Sequence, residues 1–129
     1  MTRACRVLIV EDEYFLATDL EESLRLEGAE IVGPIYELSQ ALAQANEDGF
    51  DAAVIDINLR GQYVYPIADM LMEKRIPFVF ATGYRQEALP SRFWEVKRFE
   101  KPCDAPAIAK HIVRLYRQWQ SVPDKQALR

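Results

Sequence analysis

The chain has 129 residues, 50% of them hydrophobic and 28% charged, with a formal net charge of −4. That is enough for one well-filled core and too little for a second independent domain, while no apolar run approaches the ~20 residues of a membrane helix and no leader-like start is present. The acidic balance speaks against a nucleic-acid backbone as partner, and two distant cysteines with a single histidine speak against a zinc site or a disulfide framework, so a cytoplasmic setting with reduced thiols is expected.

Short apolar runs alternate with amphipathic ones along the whole chain. Arg6 to Val10 is continuously apolar after its first residue, as a strand covered on both faces would be. Leu16, Leu20 and Leu24 then repeat at helical spacing, with Gly28 placed as a stop. Glu30 to Gly33 reads as a second strand. Leu38, Ala41, Leu42 and Ala45 form a second helical stripe, closed by Asn46 to Gly49. Ala52 to Asp56 is the third strand, followed by the pairs Ile67/Leu71 and Ala68/Met72 on a helix that tolerates Pro66 at its first position. Phe78 to Ala81 is the fourth strand. Tyr84 to Glu95 is weakly patterned and interrupted by Pro90, which predicts a short helix and a loop. Val96 to Phe99 is the fifth strand, and Asp104 is placed to cap a last helix whose face is Ile108, Ile112, Leu115 and Trp119. Residues 1–121 thus read as one domain, and 122–129, without periodicity, as a tail that frays.

Five strands alternating with helices imply a flavodoxin-like α/β fold, (βα)5, with an open five-stranded parallel sheet of order 2-1-3-4-5 and helices on both faces. Ligands bind such sheets beyond the carboxyl ends of the strands. Glu11 and Asp12 follow the first strand, Asp56 ends the third, Thr82 and Gly83 follow the fourth, and Lys101 and Pro102 follow the fifth. Each is unremarkable alone, as a helix cap, a turn or a solvated strand end. Their joint placement on one edge is not. Two carboxylates about 4 Å apart repel by about 4 kcal/mol at an effective dielectric near 20. Three therefore need cations: Lys101 supplies one, and a divalent ion with a taste for hard oxygen ligands, Mg²⁺, suits the rest. A carboxylate with a hydroxyl and an ammonium aimed at the same space suits phosphoryl transfer.

The runs Val7-Leu8-Ile9-Val10-Glu11-Asp12-Glu13, Ala53-Val54-Ile55-Asp56-Ile57-Asn58-Leu59, Phe80-Ala81-Thr82-Gly83 and Glu100-Lys101-Pro102, in this order and spacing, resemble a bacterial response-regulator receiver domain of two-component signalling. Pro77 to Tyr84 and Asn58-Leu59-Arg60-Gly61 further resemble the FATGUY group of single-domain regulators. The resemblance implies Asp56 as phosphoacceptor from a phosphohistidine on a histidine kinase or histidine phosphotransferase, with signalling by protein contact or phosphorelay. It implies Mg²⁺ held by Glu11, Asp12, Asp56 and the backbone carbonyl of Asn58. Thr82 would be the switch, Lys101 would pair with the phosphoryl charge, and a cis peptide would follow Lys101. Downstream contacts would be with protein, not directly with nucleic acid or membrane, and the chain would be a signalling protein rather than an enzyme, apart from catalysing its own phosphorylation and dephosphorylation.

Three positions depart from the family pattern. Glu11 stands where an aspartate is common, Arg60 where a proline is common, and Arg98 at the usual switch aromatic. A guanidinium is costly to bury without a partner, so Arg98 is expected at the surface, with the phosphorylation signal passing instead through residues 83–95 and through Tyr84, Phe93 and Trp94. His111 reads as a boundary residue and Cys103 as a small packing residue. Competing readings are a phosphorylation-independent pseudo-receiver, against which Asp56, Thr82 and Lys101 argue, and an aspartyl-phosphate phosphatase of the haloacid-dehalogenase type. The latter wants Asp-x-Asp after its first strand, whereas Asp56-Ile57-Asn58 follows the third. A flavin binder would need a Ser/Thr/Gly-rich phosphate loop after strand one, and Glu11-Asp12-Glu13 stands there instead.

Overall fold

A computed structural model describes residues 4–121, so the tail 122–129 lies outside the described residues. The chain runs through β1 (Arg6–Val10), α1 (Tyr14–Leu26), β2 (Glu30–Ile35), α2 (Leu38–Asn46), β3 (Ala52–Ile55), a small hairpin of β4 (Asn58–Leu59) and β5 (Gln62–Tyr63), α3 (Tyr65–Lys74), β6 (Phe78–Thr82), β7 (Arg98–Glu100) and α4 (Ala105–Gln120). The main sheet is parallel with order β2-β1-β3-β6-β7, which is 2-1-3-4-5 once the hairpin strands are set aside. The flavodoxin-like reading therefore holds. No helix among the described residues is long and apolar enough to cross a membrane.

The sheet divides the core in two, because alternate residues of each strand point to opposite faces. Leu8, Val10, Ala53, Ile55, Phe78 and Phe80 meet α2 and α3 on one face. Val7, Ile9, Ala52, Val54, Val79 and Ala81 meet α1 and α4 on the other. Burial on both faces is why β1 and β3 are apolar without alternation.

The structure departs from the sequence pattern in five places. First, the β6–β7 crossover carries no α-helix; it holds two 3-10 turns, Gln86–Ala88 and Ser91–Phe93. Pro90 lacks the amide a helix would use, and only Leu89 and Phe93 of this stretch are buried, too few for a helical stripe. Second, β7 starts at Arg98 rather than Val96, because the Val96 amide closes the preceding turn on the Phe93 carbonyl. Third, β2 runs on to Ile35 across a cis Gly33–Pro34 bond. There β2 carries an extra residue against β1, pairing Leu8 with Val32 but Val10 with Ile35. Gly33 sits at φ +98°, and a Cβ on it would stand 2.9 Å from the Ile9 carbonyl oxygen and the Ile35 nitrogen, so no side chain fits.

Fourth, the hairpin turns through Arg60 and Gly61, both at positive φ (51° and 85°), the two-residue geometry that matches strand twist. Fifth, the helix faces are rotated slightly from the expected stripes. Met72 is exposed, and α4 buries Ala105, Ile108, Ala109, Ile112, Val113 and Tyr116, with Leu115 and Trp119 at its edge. Asp104 caps α4 as expected, its carboxylate accepting the Ala107 amide at 3.2 Å.

Candidate functional site

Pairing at the carboxyl edge of the sheet aims the chemistry. The Glu11 amide donates to the Ile35 carbonyl (3.0 Å), the Asp56 amide to the Val10 carbonyl (2.8 Å) and the Lys101 amide to the Thr82 carbonyl (2.8 Å). Each functional residue thus leaves the sheet through a bond to a neighbouring strand, and the Lys101–Pro102 peptide is cis.

Glu11, Asp12 and Asp56 each bring a carboxylate oxygen within 4.8 Å of the others. Lys101 Nζ lies 2.9 Å from Asp56 Oδ2 and 3.1 Å from Glu11 Oε2, and it also pairs with Glu13. Glu11 and Asp56 are buried, at 1% and 6% exposure. Burial foremost, and then the charge of a neighbouring aspartate, hold both carboxyls above their usual range, against the opposing pull of Lys101 and of backbone amides. Burial alone would lower the Lys101 pKa, but hydrogen bonds to Glu13 and Asp56, with the charges of Glu11 and Asp56, reverse this and keep the ammonium charged.

Backbone amides complete the frame. Glu11 Oε2 accepts the Glu13 amide (2.9 Å), Asp56 Oδ1 accepts the Asn58 amide (3.3 Å) and Asp12 Oδ2 accepts the Arg60 amide (2.9 Å). Glu11 Oε1 is buried and has no hydrogen-bond partner among the described residues. A buried carboxylate oxygen left unsatisfied beside two further carboxylates is what a hard divalent cation would complete, so the donor set fits Mg²⁺.

Thr82 is fully buried next to this cluster, its hydroxyl accepting the Tyr84 amide at 3.1 Å. Tyr84 in turn accepts Asn58 Nδ2 on its phenol oxygen at 3.3 Å, while Asn58 Oδ1 takes the Gly61 amide at 2.8 Å. Tyr84, Tyr63, Tyr65 and Phe93 form, in that order, a run of ring contacts with centroid spacings of 6.0, 5.3 and 5.6 Å. This run joins the hairpin to the β6–β7 crossover.

Glu11, Asp12, Asp56 and Lys101 are brought together as the strand ends suggested. Thr82 stands beside them on β6, and Asn58 enters through its backbone amide and its side chain. Arg98 corrects an expectation. Its side chain is only 23% exposed, donating to the Tyr84 carbonyl at 3.0 Å and facing Glu100 at 3.7 Å. A backbone acceptor offsets the desolvation that was expected to keep it outside. Phe93 is core, whereas Trp94 is 47% exposed with its indole N–H on the Leu89 carbonyl. His111 lies at the boundary, edge-on to Phe99, and the Cys103 thiol rests 3.5 Å from the Phe99 and Glu100 carbonyls.

Two participants escaped the sequence reading: the Glu13 carboxylate and the Arg60 amide. Glu13 had a signal, since it completes an acidic triplet after β1; the Arg60 amide acts through a tertiary contact that side-chain patterning does not record.

No protein-family model matches the chain. Among solved structures, SdrG from Sphingomonas melonis Fr1 superposes with a TM-score of 0.74 at 39% identity, over 85% of this chain and 94% of SdrG. A CheY-like response regulator receiver domain from Methylobacillus flagellatus superposes at 0.72 with 27% identity, over 88% of this chain and 99% of that one. Among curated proteins, the transcriptional regulatory protein PdtaR of Mycobacterium tuberculosis is 36% identical over 88 residues, 67% of this chain and 43% of PdtaR. The chain spans less than half the length of the curated relatives it matches.

Proposed function

The chain belongs to the response-regulator receiver family, and on that premise we propose that Asp56 is its phosphoacceptor. Receiver domains accept a phosphoryl group on an aspartate and are signalling proteins rather than classical enzymes. They bind Mg²⁺ at an acidic pocket, and this chain has a buried acidic cluster. The observation that carries the assignment is the Lys101 ammonium at 2.9 Å from an Asp56 carboxylate buried between Glu11 and Asp12.

In this reading an Asp56 carboxylate oxygen attacks the phosphorus of a phosphohistidine on a histidine kinase or histidine phosphotransferase. The new O–P bond forms as the P–N bond breaks, and the bonding pair leaves with the imidazole nitrogen. Asn58, through its amide on Asp56 Oδ1, orients the attacking carboxylate, and Lys101 stands ready for the charge that arrives. Thr82, whose hydroxyl now accepts the Tyr84 amide, is the residue that would exchange that contact for a phosphoryl oxygen. Mg²⁺, held by Glu11, Asp12, Asp56 and the Asn58 carbonyl, would supply the remaining neutralisation of carboxylates and phosphoryl group. These groups all reside in the receiver itself, so the chain would catalyse its own phosphorylation by a small phosphodonor and its own dephosphorylation. The setting is cytoplasmic and the phosphorylated form signals through protein contacts or a relay.

The test is labelling from a phosphorylated kinase and from a small phosphodonor, with Mg²⁺ and with chelator. Asp56→Asn is expected to abolish labelling, as is chelation. Stoichiometric labelling of that variant would assign the acceptor elsewhere.

A further inference from the structure

Lys101 is already fully engaged before any phosphoryl group arrives. An ammonium has three N–H donors and no acceptor, and its three partners are Asp56, Glu11 and Glu13. These partners differ sharply in burial. The side chains of Glu11 and Asp56 are 2% and 8% exposed, whereas that of Glu13 is 59% exposed.

Glu13 is also the N-cap residue of α1, and its carboxylate makes no hydrogen bond to the first-turn amides. Its amide is fixed on Glu11 Oε2 and its carbonyl on the Ala17 amide, while its side chain turns away from the helix to Lys101.

We propose that Glu13 is a positioning residue that holds Lys101 in the unphosphorylated site and competes with the phosphoryl group for it. The proposal rests on Asp56 being the acceptor. Phosphorylation moves negative charge outward from the Asp56 carboxylate onto phosphoryl oxygens, and Lys101 must turn a donor toward them. Glu11 yields that donor at greater cost, since its carboxylate is buried, one oxygen already lacks a partner, and the other would keep only the Glu13 amide. Glu13 yields it by swinging into water, where its charge is well solvated. Until then its carboxylate also opposes the approach of any anion to Lys101.

The probe is beryllofluoride, a phosphoryl analogue, titrated into the full chain with Mg²⁺, beside initial rates of labelling by acetyl phosphate. Glu13→Gln keeps the backbone bonds of residue 13 and removes the charge. It is expected to bind beryllofluoride about threefold tighter and to label faster by a similar factor, the scale of one exposed ion pair. Glu13→Asp keeps the charge but shortens the reach, and is expected to fall between Glu13→Gln and the parent. The gain of Glu13→Gln should shrink as KCl is raised, which a purely structural effect would not do. Equal or weaker beryllofluoride binding by Glu13→Gln, with an unchanged melting temperature, would overturn the proposal. Asp56→Asn is run alongside: labelling of that variant like the parent would remove the acceptor assignment itself. A silent Asp56→Asn with a Glu13→Gln that matches the parent would remove only the role of Glu13.

Discussion

Four carboxylates, Glu11, Asp12, Glu13 and Asp56, face a single ammonium at the carboxyl edge of the sheet. Metal-free, the site carries more negative charge than Lys101 offsets, so ordinary ligand linkage makes Mg²⁺ a stabiliser, worth about 2.7 kcal/mol at a concentration 100 times its dissociation constant. Asp12→Asn is expected to cut most of the Mg²⁺-induced rise in melting temperature, and Asp56→Asn to raise the melting temperature of the chelated protein by a few degrees. Melts in chelator and in Mg²⁺ measure both, and an Mg²⁺ shift unchanged in Asp12→Asn would place the ion elsewhere. A second residue sets a pH dependence away from the site. Burial, with the nearby charges of Lys97 and Arg114, lowers the pKa of His111 from its ordinary 6.5. Well above pH 6.5 the imidazole is neutral folded and unfolded alike, and contributes no pH dependence. Below it the unfolded chain takes up the proton first, so stability falls with pH until the folded-state pKa is passed. His111→Gln should therefore lose less stability than the parent between pH 7 and 5. Parallel losses in urea titrations over that range would show that His111 does not titrate differently in the fold.

Among the elements, the β6–β7 crossover stands out because it carries no α-helix. Its two 3-10 turns are anchored by Leu89 and Phe93, by Arg98 on the Tyr84 carbonyl and by Arg92 on Asp69. Tyr84 also ties it to Thr82 and to Asn58, both next to the acid cluster. A change at Thr82 thus reaches residues 83–95 directly, in a segment without an α-helical ladder to break. Hydrogen exchange with and without beryllofluoride and Mg²⁺ is expected to show altered protection across residues 83–95, and unaltered protection in α4. The reverse pattern, with change concentrated at Arg98 and α4, would exclude this route. The same segment shows what the sequence could convey. Strands buried on both faces announce themselves as apolar runs, and the acids and the lysine stand at run ends, so sheet order and cluster were legible. The β4–β5 hairpin was not, because two-residue strands are too short to show a period. Nor was the guanidinium of Arg98, whose acceptor is a backbone carbonyl fourteen residues earlier, an atom every residue has.

At the scale of the whole molecule, the sheet separates one core layer, under α2, α3 and the crossover, from another under α1 and α4. Leu71→Ala on the first side and Ile112→Ala on the second each empty a fully buried position and should each cost about 2–5 kcal/mol. The two lie in separate buried clusters on opposite faces of the sheet, so their losses should add to within about 0.5 kcal/mol. Ile67→Ala with Leu71→Ala, on one side of one helix, should depart from additivity by more. Urea titrations of the singles and doubles measure both, and strong coupling across the sheet would mean that strain passes through it. Separation of this kind bears on inheritance. A lineage could exchange the side chains of one layer, and with them the outer surface its helices present, without a compensating change in the other. The acid cluster, hung from the strand ends that both layers share, would be carried along unchanged while the surroundings diversified.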